Sequence, residues 1–157
     1  MSVEITHRTL APRVVASVRD TIPTYRDEGL LWQRLMSALP AAGARPAEGG
    51  TASATFHDPE PVETGPDVEV QLDVAAPFTG STELACVEVG EQQVACAVLR
   101  GPYDGIGEVM EALGRWIPEQ GLTFAGPMFT IYVVSPSEDP DPSAWVTEVC
   151  VPVAPAG

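Results

Sequence analysis

The sequence predicts an α+β protein. It reads as a pseudo-twofold tandem repeat of strand-strand-helix-strand-strand units, giving an antiparallel sheet of about eight strands, two main helices on one face and a central groove. Three observations carry this expectation. First, the chain states one pattern twice: Val15-Ala16-Ser17-Val18-Arg19 is answered by Cys96-Ala97-Val98-Leu99-Arg100, Leu39-Pro40 by Ile117-Pro118, Ala54-Thr55-Phe56 by Thr130-Ile131-Tyr132, and Glu69-Val70 by Glu148-Val149. The register drifts by a few residues, as loop insertions cause. Second, stretches with the two-residue period of strands are interrupted once in each half by a stretch with helical period. Third, each half carries a proline-rich acidic connection at the same place, Asp58-Pro59-Glu60-Pro61 through Gly65-Pro66 and Ser135-Pro136 through Asp139-Pro140-Asp141-Pro142-Ser143.

Taken in order, Val3 to Arg8 and Arg13 to Arg19 are rich in β-branched residues and read as a hairpin turning at Leu10-Ala11-Pro12. From about Tyr25 to Leu39, the residues Trp32, Leu35, Met36 and Leu39 recur at helical spacing, with Thr24 as N-cap and Gly43 beyond the end. The small-residue stretch Ala52 to Phe56 follows. Val68, Val70, Leu72 and Val74 then alternate with Asp67, Glu69, Gln71 and Asp73, the pattern of a strand with one wet face. A second hairpin is expected from Leu84 to Val89 and from Val94 to Arg100 about a turn at Gly90-Glu91, bringing Cys86 and Cys96 face to face as small hydrophobes. Ile106, Val109, Met110, Leu113, Trp116 and Ile117 define one side of the second helix, with Asp104 as its cap and Pro118 ending or kinking it. Met128 to Val134 and Trp145 to Val153 close the pattern, and Ala154 to Gly157 reads as a frayed tail. The half-repeats run from about residue 3 to 76 and from 83 to 153 of a single domain, 1–157.

Composition bounds the function. The 157 residues suffice for one domain that buries roughly two thirds of the surface of its unfolded chain. Eight arginines, no lysine and 22 acidic residues give a net charge of −14, which argues against nucleic-acid or anionic-membrane binding because phosphates are repelled. The N-terminus lacks a secretory signal, and no run reaches the ~18 apolar residues of a membrane span, so a cytoplasmic protein is expected. Three cysteines without CxxC spacing and two histidines make a metal site improbable, and no cofactor motif is present: Gly101-Pro102-Tyr103-Asp104-Gly105-Ile106-Gly107 is a turn into a helix and lacks dinucleotide-loop spacing.

Strand parity sorts the remaining residues. Trp145, Thr147, Val149 and Val151 share a face that should meet the helices, while Glu148 shares the other with Val146 and Cys150 and should point outward. Glu148 is nevertheless the candidate acid if the protein is an enzyme. Parity does not choose a face for Met128, Thr130, Tyr132 and Val134. The aromatics Tyr25, Trp32, Phe56, Tyr103, Trp116, Tyr132 and Trp145 lie where the halves should meet, suited to core packing or to a flat lipophilic ligand.

Arg100-Gly101-Pro102-Tyr103, Trp116-Ile117-Pro118-Glu119-Gln120-Gly121, Gly126-Pro127-Met128-Phe129-Thr130-Ile131-Tyr132 and Thr147-Glu148-Val149-Cys150-Val151-Pro152-Val153, in this order, resemble the GyrI-like effector-binding family from about Val3 to Val153. Its members stand alone or follow the DNA-binding domains of AraC-type and MerR-type regulators, and this chain resembles the stand-alone kind, with no room for a helix-turn-helix. The resemblance implies that drugs or metabolites are held in the central groove, which it maps onto Ala54, Phe56, Tyr103, Ile106, Met128, Thr130, Tyr132 and Trp145, with Thr147 on the face of Trp145. Many relatives carry a glutamate two residues before the tyrosine of the Gly-Pro strand; this chain has Thr130 there, which weakens charge-based selectivity. The expected function is therefore non-enzymatic binding of lipophilic, aromatic small molecules, cationic ones among them. The alternatives are a hydrolase that opens cyclopropane-bearing DNA-alkylating natural products, as some relatives do, and an acidic protein that inhibits gyrase.

Overall fold

The computed structural model describes residues 3–135 and 138–156; Pro136 and Ser137 of the second acidic connection, and Gly157 of the tail, lie outside the described residues. Nine strands and two α-helices are present among the described residues: β1 (Ile5–Leu10), β2 (Arg13–Thr21), α1 (Glu28–Ala38), β3 (Ala52–Phe56), β4 (Asp67–Asp73), β5 (Ala85–Val89), β6 (Gln92–Arg100), α2 (Ile106–Glu119), β7 (Leu122–Phe124), β8 (Phe129–Val134) and β9 (Val146–Pro155). β1–β6, β2–β4, β2–β5, β3–β4, β6–β9, β7–β9 and β8–β9 all pair antiparallel, and the α+β class holds. No helix among the described residues is long and apolar enough to cross a membrane.

The chain divides into two compact units, one spanning Ala11–Glu91 and the other joining the chain up to Leu10 with the chain from Gln92 onward. In the first, the strand order is β3-β4-β2-β5, and α1 packs on β2 and β4. Leu31 and Leu35 of α1 are fully buried, as are Val15, Val68 and Val70. In the second, the order is β1-β6-β9-β8, with β7 added to β9 past the end of α2. Here Val109, Leu113 and Ile117 of α2 pack on Ala95, Ala97, Leu99, Val149, Val151 and Val153, the apolar face that parity assigned to the helix. Fully burying side chains of this size contributes about 1.5–3 kcal/mol each, which is what fixes α2 on its sheet.

Both expected hairpins are absent. Ile5–Leu10 pairs with Gln92–Ala97 of β6, and Arg13–Ser17 of β2 pairs with Ala85–Val89 of β5. Neither Ala11-Pro12 nor Gly90-Glu91 takes the positive φ of a two-residue hairpin loop. The chain runs on and pairs elsewhere. As a result Cys86 faces Ala16, and Cys96 faces Cys150 instead of Cys86.

Other details follow local chemistry. Thr24 caps the 3-10 turn Tyr25–Asp27 that precedes α1, its N–H donating to Asp27 Oδ2 at 3.0 Å, and Gly43 takes φ 69° past the helix end. Asp104 does not cap α2, because it lies inside a second 3-10 turn, Tyr103–Gly105, whose N-terminal cap is Pro102. Pro118 sits in the last turn of α2, where the helix stops one residue later. The expected frayed tail is partly ordered: Ala154 and Pro155 belong to β9 and pair with Thr123 and Leu122 of β7, a strand too short to be read from periodicity.

Candidate functional site

The aromatic residues of the second unit converge because a tight backbone turn brings them there. After Arg100 ends β6, Gly101 turns with φ 98°, a value that favours glycine, and its N–H donates to the carbonyl of Trp145 at 2.8 Å. Pro102 then starts the 3-10 turn that leads into α2, delivering Tyr103 onto Trp145. The two rings stack with centroids 5.1 Å apart and planes 25° from parallel. Tyr132 of β8 meets Tyr103 edge-on at 6.2 Å and 64°. Such pairs add about 0.5–1.5 kcal/mol to the burial of their area and hold the rings in defined orientations.

Trp145 is held from a second side. Asp141 accepts hydrogen bonds from the Ser143 N–H and hydroxyl at 3.0 and 2.8 Å, closing the 3-10 turn Pro142–Ala144 directly before Trp145. Those two bonds keep the Asp141 carboxyl below its ordinary pKa. The indole Nε1–H of Trp145 donates to the Asp139 carbonyl at 2.8 Å. A proline-rich acidic connection thus serves to place an aromatic ring.

Beneath the rings, the face of β8 and β9 that meets α2 carries two threonines. Tyr132 pairs with Thr147 and Thr130 with Val149, so the two threonines are diagonal neighbours on the face of Tyr132. Both are buried, at 2 % and 1 % exposure, and neither hydroxyl has a hydrogen-bond partner among the described residues. A buried hydroxyl without a partner costs about 1–3 kcal/mol. Ile106 and Met128 are half-buried and pack against the same core of α2 and its sheet.

In the other unit, Phe56 of β3 meets Tyr25 edge-on at 5.9 Å, and Ala54 is fully buried. Ala54 and Phe56 pair with Val70 and Val68, on the face of those valines. Among the expected site residues, Tyr103, Ile106, Met128, Thr130, Tyr132, Trp145 and Thr147 are therefore parts of one unit, and Ala54 and Phe56 of the other.

Glu148 stands apart from the aromatic cluster. It lies on the opposite face of β9 from Thr147, where the Arg8 guanidinium of β1 binds its carboxylate at 2.5 Å. Glu69 of β4 is a polar centre that sequence reasoning missed. The Ser17 hydroxyl and the Gln71 amide donate to Glu69 at 2.5 and 2.9 Å, and His57 Nε2 lies 2.8 Å away. Burial pushes the Glu69 pKa up, but the bonds from Ser17, Gln71 and His57 outweigh it and hold the carboxyl below its ordinary value. These four residues are scattered over β2, β4 and the residue after β3, so only strand register brings them together. Among the described residues, no group of three His, Cys, Asp or Glu side chains is placed to hold a metal ion.

A small α+β unit that presents anchored aromatic rings over a helix-packed sheet has the make-up of a small-molecule-binding module. Residues 3–154 match the GyrI-like small molecule binding domain, and the chain belongs to that family. No curated protein matches the sequence. Among solved structures, the C-terminal domain of EcmrR is similar with a TM-score of 0.88 at 20 % identity, covering 99 % of this chain and 100 % of that one. A hydrolase from Listeria innocua is similar with a TM-score of 0.71 at 12 % identity, covering 96 % and 92 %. The structure of SAV2435 bound to tetraphenylphosphonium is similar with a TM-score of 0.58 at 16 % identity, covering 96 % and 94 %. At these identities the likeness is one of fold.

Proposed function

We propose that the protein binds lipophilic, aromatic small molecules without transforming them, using the cluster of Tyr103, Tyr132 and Trp145 as its principal contact. The observation that carries this reading is the anchoring of Trp145: its carbonyl, its indole N–H and its ring are each engaged by a different element, which pre-orders a flat surface for stacking. Ile106 and Met128 supply apolar edges, and Thr130 and Thr147 supply hydroxyl groups to a ligand that reaches the sheet. In the unit Ala11–Glu91, Ala54 and Phe56 are proposed as ligand contacts of that unit by itself.

The aromatic faces and the net charge of −14 favour a cation over an anion. The similar fold of SAV2435, solved with tetraphenylphosphonium, supports that class of ligand. A hydrolytic role for Glu148 is not favoured, because its carboxylate is occupied by Arg8 on the face away from the rings. Tryptophan fluorescence during titration with tetraphenylphosphonium and a panel of aromatic dyes tests the reading. Saturable binding that weakens in both Trp145→Ala and Tyr103→Ala supports it; binding unchanged in both variants refutes it.

A further inference from the structure

The face of the β1-β6-β9-β8 sheet away from α2 carries two nucleophilic groups that ligand binding does not use. Cys96 of β6 and Cys150 of β9 occupy directly opposed positions of the antiparallel ladder. Their thiols are hydrogen-bonded to each other, and the residues are 2 % and 0 % exposed among Val94, Phe129 and Ile131. Directly opposed residues of antiparallel strands have Cα atoms about 4.5–5.5 Å apart, inside the ~4.4–6.8 Å window of disulfides. The third cysteine, Cys86, lies opposite Ala16 in the other unit and has no such partner.

The two thiols differ in character. The bond from Cys150 and the nearby Arg8 guanidinium pull the Cys96 thiol below its ordinary pKa, whereas the bond to Cys96, burial and the approach of Glu148 push that of Cys150 upward. Cys96 is thus suited to attack as thiolate, and Cys150 is placed to resolve by its position directly opposite in the ladder. Burial also selects the product. A glutathione or alkyl adduct adds atoms where packing leaves little space, while a disulfide adds none and removes two hydrogens.

We propose that Cys96 and Cys150 form a reversible, peroxide-driven disulfide site that staples β6 to β9. The Cys96 thiolate attacks one oxygen of the peroxide; the O–O bond breaks, the other oxygen leaves as alkoxide or hydroxide and takes up a proton, and Cys96 becomes a sulfenic acid. The Cys150 sulfur then attacks the Cys96 sulfur and loses its proton, the S–O bond breaks, and water leaves. In sum, two thiols and one peroxide give one disulfide, one alcohol or water, and one water. Peroxide reaches the pair by local opening of β1, an edge strand of this unit's sheet; the Cys150 bond, the largest cause of the lowered Cys96 pKa, lies in the β6–β9 ladder and stays in place.

The full-length protein is treated with graded hydrogen peroxide, alkylated and peptide-mapped. The expected result is a linked Cys96–Cys150 peptide pair with Cys86 still alkylated, reversed by dithiothreitol, and a thermal midpoint that rises on oxidation. In Cys150→Ser the resolving thiol is gone, and a sulfenic acid trapped at Cys96 by dimedone is expected. Should Cys150→Ser fail to fold, the wild-type map decides alone. Oxidation found first at Cys86, overoxidation of Cys96 without a linked peptide, or no loss of hydrogens at millimolar peroxide each overturns the proposal.

Discussion

Thr147→Val gives the sharpest test of the way the site is built. Thr147 is 1 % exposed, and its hydroxyl has no hydrogen-bond partner among the described residues. Folding therefore strips the hydroxyl of water and returns nothing, a cost of about 1–3 kcal/mol. Valine keeps the β-branched shape and replaces the hydroxyl by a methyl, which adds roughly 0.8 kcal/mol of apolar burial. Imperfect fit of the methyl takes back part of the gain, so the expected stabilisation is about 1–2 kcal/mol. For a chain of this size each kcal/mol is worth about 2–4 °C in Tm. Urea unfolding followed by tryptophan fluorescence should show a higher midpoint at unchanged slope. Thr123→Val on exposed β7 is the control and should move stability by no more than about 0.5 kcal/mol. If Thr147→Val lowers stability by 1 kcal/mol or more, its hydroxyl is satisfied in the folded protein and the reasoning fails.

Four further outcomes follow. Leu113→Ala empties a fully buried position in the core of α2 and should cost about 2–5 kcal/mol by chemical denaturation. Gly101→Ala places a Cβ at φ 98°; it should destabilise by about 1–3 kcal/mol and weaken ligand binding, because the same turn positions both Tyr103 and the carbonyl of Trp145. Because the folded pKa of Glu69 is depressed, its stabilisation is present above the ordinary glutamate value of 4.5 and is lost as pH falls through the folded value. Unfolding midpoints between pH 7 and 3 should therefore fall less steeply in Glu69→Gln than in the wild type. Phe56→Ala removes a half-buried ring and its edge-on contact with Tyr25, and should lower stability by about 1–3 kcal/mol in urea unfolding.

What could be read from the sequence was decided locally. The apolar faces of both helices and the alternating strand Asp67–Asp73 are legible because side-chain period, and at the first helical stretch the Thr24 cap, act within a few residues. The face of β9 that meets α2 was legible from parity alone, since Val149, Val151 and Val153 alternate with polar or small residues. Strand partners were not legible. The expected β1–β2 and β5–β6 pairs give way to β1–β6 and β2–β5, a choice made by contacts between strands distant in the chain that local turn signals do not encode. The same limit hid the Cys96–Cys150 pair and the Ser17–His57–Glu69–Gln71 cluster, whose members meet only through register across distant strands. Tyr103, Tyr132 and Trp145 were nominated by residue type and resemblance, but their stacking, and the unpartnered hydroxyls beneath them, are products of packing that no spacing rule encodes.

At the centre of the proposed function, an anchored aromatic cluster binds a lipophilic molecule that carries aromatic rings. Calorimetric titration of tetraphenylphosphonium into the wild type, Trp145→Phe and Trp145→Ala tests it most directly. Saturable binding is predicted in the wild type, retained in Trp145→Phe and weakened about tenfold or more in Trp145→Ala, a loss of some 1.4 kcal/mol. Equal affinity in all three proteins, or no saturable binding in the wild type, would contradict it.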